Sequence, residues 1–148
     1  MNHPAAHPTR IHELLEQYWQ DVRGAHALPL ESDINTERLK EIWPSCFLVS
    51  VRANGSFGYN YLGEALVDAY GDDLTGREIT ETLVYPHPAS LFSTFKRVVE
   101  TAAPVTDESE FTNSKGARIK YRSCVLPLAG PEGTHVRFLL GGMKWKTY

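Results

Sequence analysis

The sequence predicts an α+β fold: a five-stranded antiparallel sheet with short helices and one long helix on one face, and an N-terminal amphipathic helix over the other face. Three observations carry this. Apolar residues recur at helical spacing near the start of the chain and again around residues 91–102; residues 47–61 and 105–146 alternate with period two; glycine-bearing turns separate the late alternating segments. With 148 residues, 42% of them hydrophobic and 22% charged, the chain has the size and composition of one ordinary domain. Disordered, collagen-like and coiled-coil readings are thereby excluded.

Residues 1–9 read as a flexible tail, 10–44 as a helical extension and 45–148 as the sheet-bearing domain. His3 stands where a terminal amine, amides and an imidazole can bind Cu(II) or Ni(II), but a frayed terminus is the plainer reading and no metal is expected. A helix is expected near Ile11–Arg23, with Ile11, Leu14, Leu15, Tyr18, Trp19 and Val22 on one face, Thr9 as its cap and Gly24 at its end. A second, short helix follows near Thr36–Ile42, capped by Asn35 and stopped by Pro44.

Phe47, Val49 and Val51 then alternate with Leu48, Ser50 and Arg52, and Asn54-Gly55 gives a two-residue hairpin signal into Phe57, Tyr59 and Tyr61. Glu64–Tyr70 reads as a short helix ending at Gly71, and Asp72–Glu81 as helical turns. Pro86-His87-Pro88 opens the long helix, whose apolar face holds Leu91, Phe92, Phe95 and Val98. Three strands close the chain: Val105–Thr112, Ala117–Ala129 and Thr134–Lys146.

Both late turns place glycine where a three-residue loop needs it, at Gly116 and Gly133. Pairing Asn113 with Ala117 sets Glu110 opposite Lys120, Glu108 opposite Arg122, Phe111 opposite Ile119 and Val105 opposite Val125. Pairing Gly130 with Thr134 puts Ile119, Tyr121, Val125, Leu139, Met143 and Trp145 on the core face. The opposite face is apolar at one end (Leu126, Leu128, Val136, Phe138, Leu140) and basic at the other (Arg118, Lys120, Arg122, Lys144, Lys146). An apolar half-sheet must be covered, and the aromatic stripe of the first helix is its natural cover, on its own sheet or a partner's.

Net charge is −3, yet residues 1–112 carry 8 basic and 17 acidic groups while residues 113–148 carry 7 and 1. The cross-strand register accounts for much of this split and leaves Arg118, Lys144, Lys146 and Arg137 unpaired. Neither a signal-peptide core nor a run approaching the ~20 apolar residues of a membrane span is present, and a cytoplasmic location is expected. The two cysteines, Cys46 and Cys124, read as buried thiols.

The element order and the run Asn54–Asn60 resemble the PAS fold. The similarity sharpens to a bacterial PAS family with an N-terminal helical extension. Its carriers are Tyr18-Trp19 with Arg23-Gly24, Asp33-Ile34-Asn35, Pro44 with Phe47-Leu48, Gly63 with Leu66-Val67, Asp73-Leu74-Thr75-Gly76-Arg77, and Leu126-Pro127-Leu128. Asn60 and Glu64 depart from the Arg and Thr common there. The resemblance implies a sensory or protein-interaction module without catalytic activity, dimeric through its N-terminal helix, with a possible signalling-protein partner.

Interface candidates are Leu14, Leu15, Tyr18, Trp19, Val22, Leu126, Phe138 and Leu140. Pocket candidates are Tyr59, Tyr61, His87, Phe92, Phe95 and Tyr121, although aromatics at these spacings more often fill a core. Asn54, Gly55, Asp73, Thr75, Gly76 and Arg77 are the structural motif. Haem and flavin are not expected: His87 is an isolated histidine, and Asp72–Glu81 lacks the cysteine of the flavin-adduct type. Two alternatives remain in the sequence: a small cone-shaped α+β isomerase or dehydratase, and a weak nucleic-acid binder using the basic sheet end.

Overall fold

A computed structural model describes residues 11–81 and 88–147. Helix α1 spans Ile11–Arg23, α2 Glu64–Tyr70 and α3 Ala89–Thr101. The strands are β1 Cys46–Val51, β2 Phe57–Leu62, β3 Glu78–Ile79, β4 Val105–Thr112, β5 Arg118–Ala129 and β6 Val136–Thr147. They form one antiparallel sheet in the order β3-β2-β1-β6-β5-β4.

The sheet has six strands, where the sequence predicts five. Residues 72–81, expected as helical turns, make one turn at Leu74–Arg77 and then extend, placing Glu78 and Ile79 beside Gly58 and Phe57. A two-residue strand is too short to show period two. What holds it is local. Asp73 accepts from the Thr75 amide and hydroxyl at 3.0 and 2.6 Å, and the Gly76 amide donates to the Tyr59 carbonyl. Asn54 and Ser56 both donate to Glu78. The 36–42 helix is reduced to a 3₁₀ turn, Thr36–Leu39, with Asn35 accepting from the Glu37 amide; Pro44 lies within a second such turn, Trp43–Ser45.

The Asn54-Gly55 hairpin closes through three residues rather than two: the Arg52 amide donates to the Ser56 carbonyl and only Gly55 has positive φ, at 84°. The Asn54 side-chain oxygen instead accepts from the Ser56 amide. The β4–β5 register is the expected one throughout. In β5–β6, Leu128 pairs with Phe138 and a bulge falls at Ala129, a slip of two residues from the expected register. An even slip leaves every side chain on its expected face.

Apolar residues occupy both faces. On the inner face α2 and α3 close a core with Phe47, Phe57, Tyr59, Phe95, Val125 and Leu139. On the outer face α1 lays Ile11, Leu15, Tyr18 and Trp19 over Cys46, Cys124, Leu126, Leu128 and Leu140 of its own chain's sheet. Gly141 and Gly142 let both layers approach β6. A Cβ on Gly141 would run into the Phe47 ring, and one on Gly142 would meet Leu15 at 2.8 Å and Ile11 at 3.1 Å.

The motif residues of α1 are its attachments. The Trp19 indole N–H donates to the Pro127 carbonyl at 2.7 Å, and the Tyr18 hydroxyl bonds the Asn35 carbonyl and amide. The Arg23 guanidinium lies over the Trp19 ring. Beyond Val125, β5 has no β4 partner. There Leu30 bridges Ala129, and the Ala129 amide donates to the Pro29 carbonyl. Proline is tolerated at 127 because β4 has already ended at this edge.

Trp19→Ala is expected to cost about 3–5 kcal/mol in urea denaturation, and Gly142→Val about 1–3 kcal/mol or more by overpacking. Leu14→Ala, on the exposed side of the same helix, should stay within about 0.5 kcal/mol.

Candidate functional site

The inner core, the compartment between the sheet and α2 and α3, gathers four of the six pocket candidates and is filled by their packing. Tyr59 and Phe95 are fully enclosed, with Phe92 and Tyr121 nearly so. The rings interlock edge-on: Phe47 to Tyr59 at 5.7 Å, Phe57 to Phe92 at 5.5 Å, Phe57 to Phe95 at 5.2 Å and Phe111 to Tyr121 at 5.9 Å. His87 lies outside the described residues.

Tyr61 is not brought to this site. Leu48 pairs with Tyr61 but Val49 pairs with Tyr59, so Asn60 is the extra residue of a bulge in β2. The bulge reverses the alternation, and Tyr61 stacks on Trp43 at 4.5 Å and donates to the Trp43 carbonyl on the other side. Strict period two had placed Tyr59 and Tyr61 together. The signal for the break was Asn60 itself, a polar residue within an otherwise aromatic and apolar strand.

Polar atoms line the compartment sparingly. The phenols of Tyr59 and Tyr70 are hydrogen-bonded to each other, and Tyr70 also reaches the Met143 sulfur at 3.4 Å. Tyr121 shares a hydrogen bond of 2.6 Å with Ser90, and Thr94 donates to the Ser90 carbonyl. Burial pushes the Tyr59, Tyr70 and Tyr121 phenols above their ordinary range. Ser123, missed at the sequence level, is 1% exposed between Asp107 and Met143, and its hydroxyl has no hydrogen-bond partner among the described residues.

The interface candidates lie mostly inside the chain. Leu15, Tyr18, Trp19, Leu126 and Leu140 are buried, Val22 and Phe138 are half-buried, and only Leu14 is exposed. Two arginines expected to be unpaired have partners: Arg118, at the basic sheet end, contacts Glu110 at 2.7 Å, and Arg137, by the Gly130 turn, contacts Glu132 at 3.7 Å. Arg122 pairs with Glu108 and holds that carboxyl below its ordinary range.

Both thiols sit in the outer core, across the sheet from α2 and α3. Burial pushes each up to about 12 from an ordinary 9.0. Cys46 donates to the Ile42 carbonyl at 3.3 Å. Neither thiol is expected to react with an alkylating reagent at pH 8 until denaturant is added. Because the folded values are raised, this stabilising contribution is full below pH 9.0 and is lost as the pH rises towards about 12. A urea midpoint that falls with alkaline pH in the wild type, and less steeply in Cys46→Ala/Cys124→Ala, checks the sign.

The PAS domain of the fruit-fly ELK potassium channel superimposes with a TM-score of 0.54 at 17% identity, over 70% of this chain and 86% of that one. The LOV domain of the Erythrobacter litoralis EL346 blue-light activated histidine kinase gives 0.54 at 13%, over 70% and 96%. The light state of the blue-light photoreceptor Aureochrome1 LOV gives 0.52 at 12%, over 75% and 88%. No curated protein matches in sequence. At these identities the structures establish the fold. The PAS domain family model matches residues 6–143, nearly the whole chain, and shows that the chain belongs to the PAS domain family.

Proposed function

We propose that this PAS domain is a sensory or regulatory module that works by binding, with residues 45–148 as the sensing domain and 10–44 as its built-in cap. The carrying observation is that one central strand, β6, touches both layers. Phe47 from the inner core packs on Gly141, while Leu15 and Ile11 of α1 pack on Gly142. A change of packing inside is thereby felt at α1, through adjacent backbone positions of a close-packed core.

A small molecule in the inner compartment is the input we propose, with the orphan Ser123 hydroxyl as its polar anchor. Buried hydroxyls without partners are uncommon in folded proteins. We place neither haem nor flavin there. Both cysteines of the chain lie on the outer face, so a flavin would find no thiol on the inner side with which to form an adduct. The isomerase alternative requires a buried carboxylate or histidine. Among the described residues the buried polar side chains are serine, threonine and asparagine, beside tyrosines and thiols held neutral.

The output we propose is contact with a second copy through the outward side of α1. The inward side is occupied by the chain's own sheet, and Leu14, 37% exposed, is the exposed large hydrophobic residue among those described. No helix of the described residues is long and apolar enough to cross a membrane.

Native mass spectrometry and an absorption spectrum of freshly purified protein test both halves. A dimer that Leu14→Arg converts to monomer without loss of thermal stability supports the output surface; a strict monomer at high concentration contradicts it. A co-purified small molecule whose occupancy falls in Ser123→Ala supports the input. Visible absorption from haem or flavin contradicts the assignment of neither.

A further inference from the structure

The outer face of the sheet is apolar beneath α1 and cationic beyond it. In the cationic half Lys120 stands directly opposite Lys146, and Arg122 directly opposite Lys144. Like charges facing each other across strands oppose the pairing of those strands. Arg122 is engaged by Glu108 through both Nε and Nη2. Among the described residues, Lys120, Lys144 and Lys146 make no ion pair. The ten residues ahead of α1 contain no Asp or Glu to supply counter-charge. These cations, together with the Glu108 carboxylate that Arg122 engages, line an open cleft of about 390 Å³ that extends to Ile11 and His12 of α1. The Nδ1 of His12 is buried there without a hydrogen-bond partner among the described residues.

We propose that this cleft binds a small oligophosphate, a di- or triphosphate group carried by a nucleotide or free in solution. The available cations are ammonium groups, which bind by charge density. The one guanidinium fork is already occupied by a carboxylate, so bidentate carboxylate recognition is not on offer. Three lysines lining one cleft match several adjacent negative charges. The cleft's volume of about 390 Å³ falls in the range of small-ligand sites. The site lies across the sheet from the inner compartment and stands independently of what that compartment holds.

The test is calorimetric titration of the full chain with sodium tripolyphosphate and, separately, with ATP, at low and moderate salt, with thermal midpoints recorded alongside. Saturable one-to-one binding is expected with at least one of them, weakening with salt, together with a rise in Tm. Lys144→Ala/Lys146→Ala should lose about tenfold or more in affinity, whereas Lys96→Ala on α3 should lose none. Removing the paired lysines relieves like-charge opposition, so the ligand-free double variant should keep or gain Tm, which separates lost binding from lost fold. Tighter binding of tripolyphosphate assigns the site to free oligophosphate, and tighter binding of ATP to a nucleotide. Absence of saturable binding at millimolar concentration overturns the proposal, as does equal loss in Lys96→Ala, or binding confined to anionic vesicles or RNA.

Discussion

The structure depends on the cover that α1 provides for the outer face of the sheet, fastened by the hydrogen bond from the Trp19 indole to the Pro127 carbonyl. A PAS sheet with Leu126, Leu128, Phe138 and Leu140 outward cannot be left in water, and a helix with an aromatic stripe cannot be left without a sheet. Each solves the other's problem. The proline at 127 sits where β5 has outrun β4, so its carbonyl takes an indole donor at an edge that the sheet no longer uses. The neighbouring Pro29–Leu30 segment closes the rest of that edge. Leu126-Pro127-Leu128 and Tyr18-Trp19 are therefore two halves of one joint.

Much of this was legible in the sequence because it rests on local chemistry with a clear period. The end of α1 at Arg23, its apolar face and the β4–β5 register followed from spacing, turn glycines and opposed charges such as Glu108 with Arg122. What was not legible lacks a period. β3 is two residues long and is defined by side chains of Asn54, Ser56 and Asp73 rather than by alternation. The bulge at Asn60 costs one residue and sends Tyr61 to Trp43, so the site lost a candidate to a local backbone irregularity. Ser123 could not be singled out, because being unpartnered is a property of its surroundings and not of its type.

Function and fold meet at the two faces of β6. Gly141 and Gly142 have no side chains to separate the inner core from the α1 layer, so the inner compartment and the cap share a backbone. That arrangement suits a module that converts occupancy into a change at α1. The same outer face carries the opposed lysines, an arrangement unfavourable for stability alone. Residues that weaken a fold in this way are expected where a ligand repays the opposition on binding.

The most direct measurement is native-state hydrogen exchange across α1 and the central strands. If α1 is part of one cooperative structure, the amides of Leu15 to Trp19 exchange with the same opening free energy as those of Leu139 and Leu140 in β6, and both fall together in Trp19→Phe, which lacks the indole donor. If the α1 amides exchange far more readily than those of β6, the helix is a detachable appendage, and the account of a cap coupled to the sheet is contradicted.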